Sequence, residues 1–384
     1  MKWFYRCAVC GNTYDIEPGR YLCDRCSAAQ KPLRPLEGIL ETEWDGEFAS
    51  DGIPLPVEPI WFPPIPVGNT PLWEPARLRS ALGFPRLYLK DDTCNPTGSY
   101  KDRASYLVAA FAARHGVKEI ALASTGNAAS SMAGVGAAAG IAVTVFLPSS
   151  APPAKRIQVL QYGAQLRQVD GTYDVAFDRS LEYTARGGAL SRNTAYNPLT
   201  IEGKKTVAYE IAAQLASHDG VAVAPDHLFV PVGDGVILAG VYRGFENLVR
   251  LGRLDRVPTV WACQADGSNA IARALAAGEF TDPVASTTIA DSISVDVPRN
   301  GTHALAKLQK YGGRAISVSD REILEAQRRL SAASGLFAEP SSSAAFAGFL
   351  KVRDSIDRES RVVLLITGSG LKDTANAARA LELA

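Results

Sequence analysis

Asn95-Pro96-Thr97-Gly98-Ser99-Tyr100-Lys101-Asp102-Arg103 decides how the chain is read. Asn95-Pro96 and Gly98 are turn residues. From Arg103 towards Ala113 the apolar spacing is helical. Just upstream, Arg86-Leu87-Tyr88-Leu89-Lys90 is a short extended apolar run. The nonapeptide therefore joins a strand to a helix and puts Lys101 on the helix's first turn. Helix N-termini favour anions, so a cation gains nothing from the dipole there. A lysine that is also desolvated should lose its proton more readily, which an amine nucleophile requires. On these nine residues alone, a solvated lysine paired with Asp102 or Asp91 reads as well.

Outward from this turn, strand and helix alternate. Apolar runs at 119–124, 141–147 and 164–169 read as strands. Helical patterns lie at 102–115, 128–139, 152–162 and 173–186, and 189–194 suggests another strand. Beyond residue 200 the rhythm continues with other lengths. Helix 203–216 leads to strand 227–232 and helix 236–251. Strand 258–264 leads to helix 268–277, strand 314–318 to helices 320–334 and 341–355, and strand 361–367 to a last helix. This alternation predicts an α/β protein with parallel sheets covered on both faces. Open sheets of that kind take ligands in the crevice at their carboxyl ends.

Composition limits the function. The 384 residues allow about two domains. Lys+Arg and Asp+Glu are 40 each, so the net charge is zero. That argues against a nucleic-acid or membrane-surface binder. The first residues carry no apolar signal region, so a cytoplasmic protein is expected. Ile120 to Ala154 holds no charged residue. It contains Asn127, several Ser and Gly, and three prolines, so a buried strand-helix-strand unit is expected rather than a membrane span.

The first 40 residues form a zinc-ribbon-like segment. Cys7-Ala8-Val9-Cys10 and Cys23-Asp24-Arg25-Cys26 are two C-x-x-C pairs, twelve residues apart. Four thiolates at that spacing suit a closed tetrahedral zinc site, hence a structural one. Cys94 and Cys263 stand alone and read as small buried residues. Residues 41–75 read as a proline-rich arm, closed by Gly68-Asn69-Thr70-Pro71-Leu72. The expected lobes are 86–195, smaller and carrying Lys101, and 76–85 with 196–384, larger and carrying a phosphate loop.

Three glycine-rich strand ends accompany the lysine. Ser124-Thr125-Gly126-Asn127-Ala128 opens a helix and suits a carboxylate. Pro231-Val232-Gly233-Asp234-Gly235-Val236-Ile237 also opens a helix and suits a phosphate, although it is neither a Walker loop nor G-x-G-x-x-G. Thr367-Gly368-Ser369-Gly370 follows the last strand. One lysine, one phosphate nest, one carboxylate nest and no nucleotide loop suggest a phosphate-bearing aldehyde cofactor, for which pyridoxal 5'-phosphate fits.

Asn95 to Arg103 closely resembles the lysine signature of threonine synthases, in the tryptophan-synthase-like (fold type II) group of pyridoxal phosphate enzymes. Residues 68–72, 124–127, 160–163, 202–206 and 367–373 resemble that family's other blocks, in its order. The resemblance runs from about residue 60 to the end, and many members carry a cysteine ribbon. It implies a two-domain fold like the tryptophan synthase β-subunit. Lys101 would form the Schiff base and shuttle the α-proton. Asn127 would bond the ring hydroxyl. Gly233, Asp234, Gly235, Val236 and Ile237 would form the phosphate loop. Thr367 would meet the pyridine nitrogen. Ser124, Thr125 and the amide of Ala128 would take the substrate carboxylate. A homodimer is implied as well.

The implied reaction is that of a lyase converting O-phosphohomoserine and water to threonine and phosphate. Departures leave alternatives open. Ala128 replaces a usual Thr, Asp234 stands in a loop that usually reads G-N-A-G-N, and Ser369 replaces a common His. An acid beside a phosphate is unfavourable unless it points away and caps another amide. A threonine or serine ammonia-lyase, or a β-replacement enzyme acting on phosphoserine, would keep the cofactor and change the substrate. An inactive zinc-ribbon binding protein is the reading from another class. Lys155, Arg156, Lys204 and Lys205 offer cations for a phosphorylated substrate, or are simply solvated.

Overall fold

Three sheets organise the chain in the computed structural model, which describes residues 1–149, 153–171, 173–216 and 220–382. The strands are β1 Lys2–Cys7, β2 Thr13–Tyr14, β3 Leu40–Asp45, β4 Leu72–Trp73, β5 Leu87–Asp91, β6 Glu119–Ala123, β7 Ala142–Pro148, β8 Gln165–Val169, β9 Leu190–Ser191, β10 His227–Pro231, β11 Thr259–Ala265, β12 Arg314–Val318 and β13 Val362–Ile366. The largest sheet runs β12-β11-β10-β13-β5-β4 and the second β8-β7-β6-β9. Both are parallel except for β4, which runs antiparallel to β5. The third, β2-β1-β3, is antiparallel.

Helices cover both faces of the parallel sheets, so their central strands are apolar throughout. All five residues of β13 are inaccessible to solvent. The run without charges folds as β6, helix Asn127–Ala139 and β7. Among the described residues no helix is long and apolar enough to cross a membrane. The expected helix 152–162 begins on a residue outside those described and is seen as Pro153–Gln161.

Several boundaries differ from the sequence reading. The ribbon sheet does not stop at residue 40, because β3 pairs along its whole length with β1. Leu40, Thr42 and Trp44 alternate inward with Glu41 and Glu43, a period-two pattern inside the segment read as an arm. β5 lies in the larger sheet, between β13 and β4, and not in the smaller lobe. Helix Lys101–Arg114 then carries the chain across and packs in the core of the smaller lobe. The helix expected at 203–216 is two helices, Leu199–Lys204 and Thr206–Gln214. Helix Gly301–Lys310 lies where the sequence pattern predicts no element. Cys263 is buried, but Cys94 is exposed. It ends a three-residue turn, Asp92–Cys94, whose inward residue is Asp92.

Candidate active site

The lysine turn is pinned from several directions. The N–H of Tyr100 donates to the carbonyl of Thr367 at 2.8 Å, tying it to the end of β13. Asn95 Oδ1 accepts from the N–H of Gly68 at 2.9 Å, and Asp102 Oδ2 from that of Thr97 at 2.8 Å. Gly98 turns at φ +79°, a conformation that favours glycine. Arg103 Nε pairs with Asp92 at 2.6 Å, and its Nη2 reaches Glu210 at 2.8 Å. Lys90 joins Glu210 at 2.6 Å. This buried cluster locks β5, the 68–72 turn and helix Thr206–Gln214 to the first turn of the lysine helix.

Lys101 opens that helix, as the sequence suggests, and lines a cleft of about 1220 Å³. Its pKa is pulled down to about 8. Burial is the main cause; Glu339 opposes it, Arg192 adds to it and Asp234 opposes it. Ser124, Thr125, Asn127 and Ala128 line the same cleft, as do Gly233, Asp234, Gly235, Val236 and Ile237. The first stretch precedes or opens helix Asn127–Ala139, and the second leads into helix Val236–Arg250. The first amides of each helix have no partner within it, so each end is a seat for an anion.

The Gly233–Ile237 loop is shaped as a cradle. A Cβ on Gly233 would lie 2.8 Å from the Cα of Ile293, and one on Gly235 would lie 2.7 Å from the Cβ of Ala304. Gly235 also has φ +85°. Only glycine brings these amides so close to the facing wall. Asp234 Oδ1 accepts from the backbone N–H of Arg299 at 3.1 Å, and the Asp234 carbonyl from that of Asn300 at 3.0 Å. The acid thus caps another amide. Burial raises its pKa, against the pull of Arg299, Lys101 and Lys204.

Thr367 stands apart from the other expected residues. It is buried behind the lysine turn, its N–H donates to Ser342 Oγ at 2.7 Å, and it is not in the cleft lining. Asn127 lies in the cleft, but its Nδ2 donates to both oxygens of Glu339, at 3.0 and 3.1 Å, and to Ser292 Oγ at 3.2 Å. Glu339 was missed from the sequence. Its only signal there is Glu339-Pro340 at the start of helix Pro340–Val352. Its carboxyl is pushed up by burial, against Asn127, Lys101 and Lys372.

The four candidate cations separate. Lys204 is fully buried and lines the cleft, and its Nζ has no hydrogen-bond partner among the described residues. Lys205 is buried outside the cleft lining, paired with Glu202 and bonded to Asn247 at 2.9 Å. Arg156 donates to the carbonyl of Ser149 at 2.9 Å. The side chain of Lys155 lies outside the described residues.

Far along the sequence from Lys101, Cys7, Cys10, Cys23 and Cys26 bring their sulfurs within 4.8 Å of one another. Cys7–Cys26 is 3.8 Å and Cys10–Cys23 is 3.6 Å. A zinc tetrahedron with bonds of about 2.3 Å has edges of about 3.8 Å, so the donor set fits that ion.

The chain also resembles known proteins. Residues 65–368 match the family described as pyridoxal-phosphate dependent enzyme. A threonine synthase of Methanocaldococcus jannaschii is 34% identical over 98% of this chain and 95% of its own. One of Mycobacterium bovis is 35% identical over 86% of this chain and 89% of its own. Among solved structures, a serine ammonia-lyase of Rhizomucor miehei superposes with a TM-score of 0.71 at 21% identity, covering 82% of this chain and 98% of its own. A processed threonine deaminase of Solanum lycopersicum gives 0.70 at 23%, covering 82% and 88%. At such identities these two show the fold alone.

Proposed function

We propose, proceeding from a chain that belongs to the family of pyridoxal-phosphate dependent enzymes, that its reaction is the threonine synthase reaction. O-phosphohomoserine and water give threonine and phosphate. The chain is a fold type II enzyme of the threonine synthase kind. One observation carries the site: a lysine of depressed pKa shares a single cleft with two helix ends built for anions.

The cradle, the lysine and the buried unpartnered amine of Lys204 fit pyridoxal phosphate. When bound, the cofactor supplies an aldehyde that takes up amines and a ring that accepts electrons from the α-carbon. We assign the residues as follows. The amine of Lys101 would hold the aldehyde and, once released, would move protons at the substrate carbons. The loop Gly233, Asp234, Gly235, Val236 and Ile237 takes the phosphate through its amides. Asn127 serves the ring hydroxyl, and so must exchange Glu339 and Ser292 for it. Thr367 is assigned to the pyridine nitrogen, and so must turn its hydroxyl into the cleft, whose lining it does not join here. A neutral hydroxyl there holds a protonated ring less firmly than a carboxylate would, which favours elimination and replacement over transamination. Ser124, Thr125 and the Ala128 amide orient the substrate carboxylate.

A second reading rests on Ala128, which offers no hydroxyl to a substrate phosphate. A threonine or serine ammonia-lyase would suit it; β-replacement on phosphoserine would keep the cofactor but again bring a phosphate. Profiling the purified holoenzyme separates the readings. Threonine and phosphate from O-phosphohomoserine are expected. Turnover of threonine, serine or O-phosphoserine, with O-phosphohomoserine inert, would overturn the assignment.

We further assign zinc to Cys7, Cys10, Cys23 and Cys26 as a structural ion. The sulfur spacing supports it. A cytoplasmic setting keeps such thiolates reduced, and the family resemblance supports a homodimer. One zinc per chain by elemental analysis is expected; a metal-free, folded and active chain would refute the ion.

A further inference from the structure

We propose that Lys204 is a second binding amine of the cleft, which takes a phosphate dianion at or beside the Gly233–Ile237 loop. The inference rests on the enzyme reading above and adds a residue to it. Lys204 and Lys205 are neighbours in sequence and both are fully buried. Lys205 is satisfied by Glu202 and Asn247. Lys204 Nζ, in contrast, has no hydrogen-bond partner among the described residues, and Lys204 lines the cleft. A buried amine left unpaired costs stability whether it is charged or neutral, so one that persists is poised for an anion from outside the fold.

Its position specifies the anion. Lys204 ends helix Leu199–Lys204, and its carbonyl accepts from the hydroxyl of Tyr100 at 2.6 Å, beside Lys101. Its other side rests on helix Val236–Arg250. A Cβ on Gly240 would come within 2.6 Å of the Lys204 Cβ and 3.0 Å of the Ile201 carbonyl. The side chain is therefore rooted between the lysine turn and the first turns of the helix that opens from the cradle. Two charges act on it from within the cleft: Lys101 repels it and Asp234 attracts it. Burial is the main cause of a pKa well below the usual lysine range; Lys101 and Arg192 add to it, and Asp234 opposes it.

The attraction between Lys204 and Asp234 also bears on that acid. A carboxylate in a loop that cradles a dianion is repulsive. Lys204 beside it offsets that charge and adds a charge-assisted hydrogen bond to whatever phosphate enters. Two sources supply that chemistry. One is the cofactor's own phosphate. The other is the phosphate of a phosphorylated substrate or the phosphate it releases.

Two titrations of wild type, K204Q and K204M test the proposal. Apoprotein is titrated with pyridoxal phosphate and, separately, with pyridoxal, by equilibrium dialysis. Holoenzyme is titrated with inorganic phosphate by calorimetry. If the cofactor is the source, K204Q weakens pyridoxal phosphate roughly tenfold to a hundredfold and leaves pyridoxal unchanged. If substrate or product is the source, cofactor affinity holds and inorganic phosphate binding weakens by a similar factor. Unchanged affinities in both titrations, or equal losses for pyridoxal phosphate and pyridoxal, would overturn the inference alone. A wild-type apoprotein that takes up neither compound would overturn the enzyme reading itself. Thermal melts give a second readout. K204M apoprotein should melt higher than wild type, having lost an unpaired buried amine, yet gain less from added pyridoxal phosphate. A lower melting temperature would show that the chain itself satisfies Lys204.

Discussion

Lys101 is the residue on which the chemistry turns, and its environment gives it a measurable signature. With a pKa of about 8, it is substantially neutral under mildly alkaline conditions, unlike a solvated lysine near 10.5. Capture of pyridoxal phosphate by the apoprotein should therefore speed up with pH, with a midpoint near 8; a midpoint above 10 in stopped-flow absorbance would contradict the burial argument. The same shift acts on stability. Between about pH 8 and 10.5 the unfolded chain still holds a proton that native Lys101 has released. The penalty for burying the charged amine is complete below pH 8 and fades as pH rises through that window, so the apoprotein gains stability across it. Lys101→Ala should remove the visible absorption of bound cofactor and all turnover. A Lys101→Ala protein that kept both would move the covalent role to another amine. The sequence could suggest this lysine because helix N-termini seldom gain from cations, but burial, the larger cause, is a property of the assembled lobes.

Around that residue, single helices hold the site in register. Arg103 sits one half-turn beyond Lys101 and is saturated by Asp92, Glu210, Thr70 and Thr206. Arg103→Ala would leave the buried Asp92 carboxylate without its main partner and the partly buried Glu210 with Lys90 alone as its ion-pair partner. A loss of about 3–5 kcal/mol is expected in urea denaturation, the usual cost of breaking a buried ion pair from one side; a loss below about 1 kcal/mol would mean that water already reaches the cluster. Gly203 sets the approach of helix Leu199–Lys204 to the lysine helix. A Cβ there would lie 2.4 Å from the Arg103 carbonyl. Gly203→Ala should therefore push the two helices apart, at a cost of about 1–3 kcal/mol, and lower cofactor affinity along with stability. At this scale the sequence was informative wherever a strand ran into glycine and then into a helix, because period and punctuation are local. It failed where the partner is remote. Glu339 carries no motif; it matters only because folding puts Asn127 and Gly368 beside it. Helix Gly301–Lys310 escaped because one face is charged and the preceding residues, 278–300, form a long irregular loop. β5 was given to the wrong lobe because an apolar run says that it is a strand, not which strands flank it.

Across the whole molecule, the cysteine ribbon is part of the cleft's support. Its core residues Tyr5, Cys7 and Cys23 pack with the smaller lobe, while Leu36 and Ile39 pack with Ile201, Val236 and Ala239 at the start of the phosphate-loop helix. From the same segment Arg34 donates to the carbonyls of Phe280 and Thr281 at 2.7 and 2.9 Å and pairs with Asp282 at 3.0 Å. The N–H of Leu36 donates to the Arg299 carbonyl at 2.9 Å. These contacts hold both ends of the 280–299 loop. That loop lines the cleft from Asp291 to Val297, and the N–H of Arg299 caps Asp234. The Arg299 guanidinium also pairs with Asp174 of the smaller lobe, so the loop spans the two lobes. A ribbon loosened at its cysteines would leave Lys101 in place, because the lysine turn is tied to β13 and to the Arg103 cluster instead. It would, however, free the wall that shapes substrate entry. Cys10→Ser, or removal of the metal by a strong chelator, should therefore raise KM well before it lowers kcat. Hydrogen exchange should quicken in β1, β3 and residues 280–299 together, with the lysine helix unchanged. Complete loss of kcat in a folded Cys10→Ser protein would give the ribbon a part in the chemistry itself. Exchange that quickened in the ribbon alone would mean that the loop stands without it.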